Sequence, residues 1–271
     1  MSAAWSQTIT EWGETMQAGG VPATTQRTRR EHVQRCARAG GWSTPAEVTG
    51  EGLVRWFSRQ QWAPETRRGH RNTHRAFWQW MVATGRRQDN PADALPRVRA
   101  TTGVPRPVDD IAYRQAIASA APRVRLILRC AAETGLRRAE IAQIHRRDLL
   151  QDLGGWSLIV HGKGDRVRVV PLPAGLASVI REQCERWGYM LPGDDDGHLS
   201  PQYVGKLAAA ALPDDWTLHS LRHRFATRAY QLDRDVFTVQ QLLGHASPAT
   251  TRRYVALDTS SMRSTVERVA A

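Results

Sequence analysis

Four prolines, Pro91, Pro96, Pro105 and Pro107, fall within the short stretch "DNPADALPRVRATTGVPRP" at residues 89–107. Each fixes φ and removes an amide donor, so neither a helix nor a central strand runs through such a segment. The stretch reads as an interdomain linker and divides the chain into domains at 1–103 and 104–271. At 271 residues the chain is long enough for each domain to bury a core of its own.

The first domain is patterned as helices. Ile9, Trp12 and Met16 recur at helical spacing, a second helix is expected after Pro22, and "STPAEVTGEGLVRWFSRQ" opens with the Ser-Thr-Pro of a helix start. From Pro64 to about Thr84, Phe77, Trp80 and Met81 form an apolar stripe, while Arg67, Arg71 and Arg75 stand four apart on a separate face. The second domain begins with helices expected at 109–120, 122–133 and 137–145. "WSLIVHGKGDRVRVVPL" then breaks the helical period: two β-branched, alternating runs flank Gly-Lys-Gly-Asp, the pattern of a β-hairpin. Further helices are expected at about 173–187, 201–211, 217–231, 235–243 and 248–255. Met262, Val266 and Val269 are spaced for a small tail helix within about 259–271. The fold class expected is therefore mainly α, with a small β-hairpin or sheet.

Charge narrows the function. A net charge of +12 favours a polyanionic partner such as nucleic acid, and residues 1–106 carry +8 of it. An Arg-rich surface that only reflects genome composition is the competing explanation. No run of eighteen apolar residues is present to span a membrane. The start, "MSAAWSQTITEWGETMQ", has acids and no basic region, so a signal peptide is not expected and a cytoplasmic location is. Cys36, Cys130 and Cys184 are odd in number and far apart, as buried thiols in a reducing compartment would be. "HGKGDR" lacks the spacing of a phosphate-cradling loop. "PGDDDGH" lacks the alternating ligands of a calcium loop and reads as a solvated turn.

The chemistry concentrates near the C-terminus. In "TLHSLRHRFATRAY" a single helix carries His219 and Arg222, three apart and hence on one face, with His223 a packed or supporting neighbour. Arg137 stands in "TGLRRAEI". Two guanidiniums can neutralise the two non-bridging oxygens of a phosphodiester, because their planar forks match phosphate and stay protonated. His219 can hydrogen-bond that phosphate or take a proton, and His245, at a Gly-His helix end, can donate to the other oxygen. Tyr254, in the polar stretch "TTRRYVALD", is a nucleophile candidate once cations stabilise its phenolate. Only two of the 38 basic residues are lysines. Lys163 sits at the Gly-flanked hairpin tip and can protonate a leaving alkoxide, which Arg cannot. Lys206 has no such context and reads as a solvated helix residue.

These motifs, "TGLRRAEI", "HGKGDR", "HSLRH", "LLGH" and "TTRRY", taken in order over residues 134–254, resemble those of the tyrosine recombinases, or phage integrase family. The resemblance extends less firmly to residues 1–100, which look like that family's helical, SAM-like core-DNA-binding domain. It implies that Tyr254 attacks a scissile phosphate to form a 3′-phosphotyrosyl bond. Arg137, Arg222, His219 and His245 would hold the phosphate, Lys163 would protonate the leaving 5′-oxygen, and Glu140 and His223 would support them. It implies no metal and no cofactor, and double-stranded DNA as the partner. A homotetramer on synapsed sites is implied too, with the C-terminal tail packing on a neighbour and with accessory directionality or DNA-bending proteins. Arg67, Arg71 and Arg75 are expected to contact phosphates. The length leaves little room for the extra arm-binding domain of larger integrases. Phage or mobile-element integration is the expected role, with Xer-type dimer resolution as the alternative. A type IB topoisomerase, or a regulator that binds DNA without cleaving it, would share parts of the pattern.

Overall fold

A computed structural model of the chain describes residues 1–99, 106–162, 166–244 and 269–270. Two units, Met1–Gly103 and Val104–Ala271, hold separate cores.

In the first unit the helices are α1 (Ala3–Ala18), α2 (Ala23–Ala39), α3 (Gly50–Ser58) and α4 (Pro64–Ala83). The Ser2 hydroxyl accepts from the Trp5 amide to start α1, and Thr49 does the same for Gly52 at α3. The apolar positions of α1 and α4 meet in an aromatic core: Trp5 stacks on Phe77 at 6.2 Å, and Trp12 meets the same ring edge-on at 5.1 Å. The buried stripe of α4 is Phe77, Trp78 and Met81. Trp80, assigned to that stripe from spacing, lies at its flank instead. There its indole donates to the Thr15 hydroxyl at 3.0 Å and Arg86 covers its face at 4.7 Å. A histidine cluster lies under the same helix. His70 is sandwiched between His32, at 3.7 Å, and Trp62, at 3.8 Å, and His74 is fully buried one turn on.

Two arginines of the α4 row bond to backbone inside the unit, and the third pairs at the surface. Arg67 donates to the carbonyls of Phe57 (2.8 Å) and Gln60 (2.6 Å) at the end of α3. Arg71 donates to the Leu95 carbonyl at 3.2 Å, and Arg75 pairs with Asp93 at 3.3 Å. Arg67 and Arg71 thus hold structural bonds within the unit, whereas Arg75 is exposed in a surface ion pair. Helix ends leave carbonyls without partners, and a guanidinium fork satisfies two at once. On α2, by contrast, Arg27, Arg35 and Arg38 are exposed and have no ion-pair partner among the described residues.

The second unit runs α5 (Asp110–Ser119), α6 (Pro122–Thr134), α7 (Arg138–Ala142), β1 (Leu149–Asp152), β2 (Gly155–His161), β3 (Val167–Leu172), α8 (Ala174–Trp187), β4 (Pro192–Asp195), α9 (Pro201–Ala211), α10 (Leu218–Asp233) and α11 (Val236–Leu243). Leu126–Leu128 and Cys130–Ala132 of α6 are all buried, so this helix is the axis of the core. The expected hairpin is present and gains a strand: β1 pairs with β2 antiparallel, as β2 does with β3. "LLQD" is too short to announce itself as a strand.

The helix expected over 137–145 stops at Ala142. Beyond it Arg146 donates to the Gly188 carbonyl and Met190 to that of Ile144, which pulls the chain into an extended path. The expected helix at 248–255 lies outside the described residues, as does the tail except for 269–270.

Candidate active site

Three helix ends converge in the second unit. α6 terminates at Gly135, whose φ of +68° lies in the left-handed region. A Cβ there would run into the ring of Phe225 and lie 2.9 Å from Leu243, so only glycine allows α10 and α11 this approach. The turn delivers Arg137 to the N-terminus of α7. α11 ends at Gly244, also left-handed at φ +61°. α10 supplies His219 and Arg222 from its first two turns.

Glu140 organises the cations between these ends. It is 8% exposed, and its carboxylate accepts from the Arg137 amide and side chain, each at 2.8 Å. It also takes both forks of Arg168 of β3, at 2.9 and 2.8 Å. Burial alone would push its carboxyl up, but the Arg168 and Arg137 bonds outweigh this and hold it below the usual carboxylate range. Arg222 is 2% exposed, with Glu140 4.0 Å away. Its guanidinium donates to the carbonyls of Gly135 and Leu243, the latter at 2.6 Å.

The end of α11 is thus clamped by three different arginines. The consecutive carbonyls of Leu242, Leu243 and Gly244 accept from Arg168 (2.9 Å), Arg222 (2.6 Å) and Arg137 (3.4 Å). These are the acceptors a helix C-terminus leaves open, and they carry its partial negative charge.

The cations face a cavity of about 560 Å³ whose lining includes Arg137, Arg138, Gln202, Lys206, His219 and Arg222. No acidic side chain is among its described lining residues. Burial, and then the adjacent Arg222 and Arg137 charges, hold the His219 imidazole below the ordinary histidine range, which favours its neutral form. The His223 ring meets that of His219 edge-on at 4.2 Å.

Of the residues expected from sequence, the structure brings Arg137, His219 and Arg222 to one cavity, with Glu140 behind them and His223 beside His219. Lys163, His245 and Tyr254 lie outside the described residues. Two residues were passed over. Lys206, read as a solvated helix residue, lines the cavity itself. Arg168 was not singled out, yet a signal existed: it shares the inward register of β3 with the buried Val170 and Leu172, whereas Val167 and Val169 are exposed. An inward charge on a strand needs a buried partner, and Glu140 is that partner.

Comparison with known proteins gives the site its context. Residues 108–261 match the family model described as "Phage integrase family". The chain is 34% identical over 142 residues to the tyrosine recombinase XerC of Bradyrhizobium diazoefficiens, covering 48% of this chain and 44% of that one. It is 33% identical over 199 residues to the tyrosine recombinase XerC of Xanthomonas axonopodis pv. citri, covering 68% and 65%. The matched stretch therefore spans between under half and just under two thirds of these relatives' length. The fold is similar to that of a lambda integrase tetramer bound to a Holliday junction, with a TM-score of 0.74 at 17% identity over 93% of this chain and 77% of that one.

Proposed function

Because this chain belongs to the phage integrase family, we propose that it is a site-specific DNA recombinase of the tyrosine type. The observation that carries the reading is the convergence of Arg137, His219 and Arg222 on a single cavity without an acid among its described lining residues. Such a pocket fits the charge and the planar, bidentate chemistry of a phosphodiester. Negative charge on the phosphoryl oxygens is met there by donors already held in place, by Glu140 behind Arg137 and by helix-end carbonyls around Arg222.

In this reading the Tyr254 phenol oxygen forms a bond to the scissile phosphorus while the bond from phosphorus to the 5′-oxygen breaks. The neutral His219 accepts the phenol proton, Lys163 gives a proton to the departing 5′-oxygen, and His245 donates to a phosphoryl oxygen. The 3′-phosphotyrosyl linkage retains the bond energy, and a 5′-hydroxyl from a partner strand reverses the step. Double-stranded DNA is the substrate, four protomers exchange strands in pairs, and the first unit holds the flanking duplex as a core-binding domain. For that unit Arg27, Arg35 and Arg38 of α2, exposed and without an ion-pair partner among the described residues, are better phosphate contacts than the α4 row. Integration of a phage or mobile element is the proposed role. Xer-type dimer resolution is the second reading, supported by the XerC names of the curated relatives.

The test uses duplexes enriched by repeated binding to the full chain from a random pool. Wild type should leave a protein–DNA adduct that survives detergent, and Tyr254→Phe should bind the same DNA without forming one. DNA bound tightly by wild type with no adduct would instead identify a regulator. Relaxation of plasmid lacking paired sites, with no exchange between paired ones, would identify a topoisomerase.

A further inference from the structure

The cavity is larger than one phosphate requires, and its far wall is built of cations that the proposed chemistry does not use. At about 560 Å³ it lies in the range that encloses a nucleotide-sized ligand. Gln202 and Lys206 stand four apart on α9, on one face of the helix, and both line it. Arg138, the residue after Arg137, leans across the same helix at Gly205. Its Cδ and a guanidinium nitrogen lie 3.6 and 3.7 Å from where a Cβ of that residue would be. This guanidinium thus packs against α9 at the residue before Lys206, and both Arg138 and Lys206 line the cavity. Among the described residues neither Arg138 nor Lys206 has an acidic partner. Like charges that line one cavity without a counter-ion repel, and an anion between them removes the cost.

Resting on the reading above, we propose that Arg138 and Lys206, with Gln202 beside them, form a second phosphate subsite. It holds the phosphate next to the scissile one on the same strand. The pocket then grips two consecutive phosphates: one on Arg137, His219 and Arg222, the other on the α9 wall. Two grips one nucleotide apart fix the register and direction of the strand, which a single phosphate contact leaves free to pivot.

Thymidine 3′,5′-bisphosphate carries two phosphates bridged by one nucleoside, and thymidine 5′-monophosphate carries one. Binding of each to the full chain is measured by NMR titration, with no target DNA sequence needed. The bisphosphate should bind roughly tenfold more tightly than the monophosphate, the gain expected from charged hydrogen bonds. In Arg138→Ala/Lys206→Ala that advantage should vanish while the monophosphate affinity stays. Arg137→Ala should weaken both probes. The subsite is refuted if wild type binds the two probes equally, or if the double variant weakens both by the same factor. An unchanged melting temperature for the double variant guards against a folding artefact. The covalent-adduct assay reports separately on the recombinase reading, since bisphosphate binding requires no Tyr254 chemistry.

Discussion

Acid should unfold the first unit well before the carboxylates titrate. His70 and His74 are 3% and 0% exposed. Nδ1 of His70 and both ring nitrogens of His74 have no hydrogen-bond partner among the described residues. Burial, and then the neighbouring imidazoles, push His70 down to about 4 and His74 to about 3, and burial with Arg35 lowers His32 as well. Unfolding returns each to the ordinary value near 6.5, so below that pH the unfolded chain binds more protons than the folded one. Stability is fully present above pH 6.5 and falls as the pH drops from there toward the folded values. At pH 5.0 each buried imidazole costs about 2 kcal/mol, about 4 kcal/mol for the pair, a large part of a domain's stability. Seven of the ten tryptophans lie in residues 1–103, so urea unfolding of the full chain followed by fluorescence reports mainly on this unit. Between pH 7.5 and 5.0 its midpoint should fall by about 2 M, taking a slope of about 2 kcal/mol per molar urea. His74→Leu should halve that drop. An unchanged midpoint at pH 5.0, or a drop that His74→Leu leaves intact, would show that these rings are not held neutral by burial.

Two substitutions test the arginine assignments. Glu140→Ala leaves Arg168 and Arg222 as buried charges without their carboxylate, and should destabilise the second unit by about 3–5 kcal/mol in thermal denaturation; loss of adduct formation with full stability retained would contradict this. Arg67→Ala removes two bonds to carbonyls at the end of α3, and should cost about 1–3 kcal/mol while leaving the salt dependence of DNA binding unchanged. A shallower salt slope would restore Arg67 as a phosphate contact.

How far the sequence could be read depended on what each residue type reveals. Arg137, His219 and Arg222 could be picked out because they stand in short motifs of fixed spacing, and the structure places all three at one cavity. The helices were legible because proline, capping residues and apolar period mark them: α4 was expected from Pro64 to about Thr84 and spans Pro64–Ala83. Arginine charge was harder to interpret. Arg67, Arg71 and Arg87 all spend guanidinium donors on backbone carbonyls. Nothing in a linear sequence separates such an arginine from one that faces a partner, since its acceptors belong to the backbone and lie up to 42 positions away. β1 and the early end of α7 were hidden for a related reason: both depend on pairing with chain that comes later.

The triple clamp on the end of α11 has a mechanical consequence. The chain that goes on to bear His245 and Tyr254 sets out from Gly244, and the three carbonyls before that departure are fastened to Arg168 and to two guanidiniums of the anion pocket, Arg222 and Arg137. Its origin is therefore surveyed from the pocket, with a tolerance set by hydrogen-bond lengths of 2.6–3.4 Å. Attack on a bound phosphate demands alignment to a fraction of an ångström. In the proposed reaction the segment bearing Tyr254 therefore starts from a point pegged beside the anion pocket.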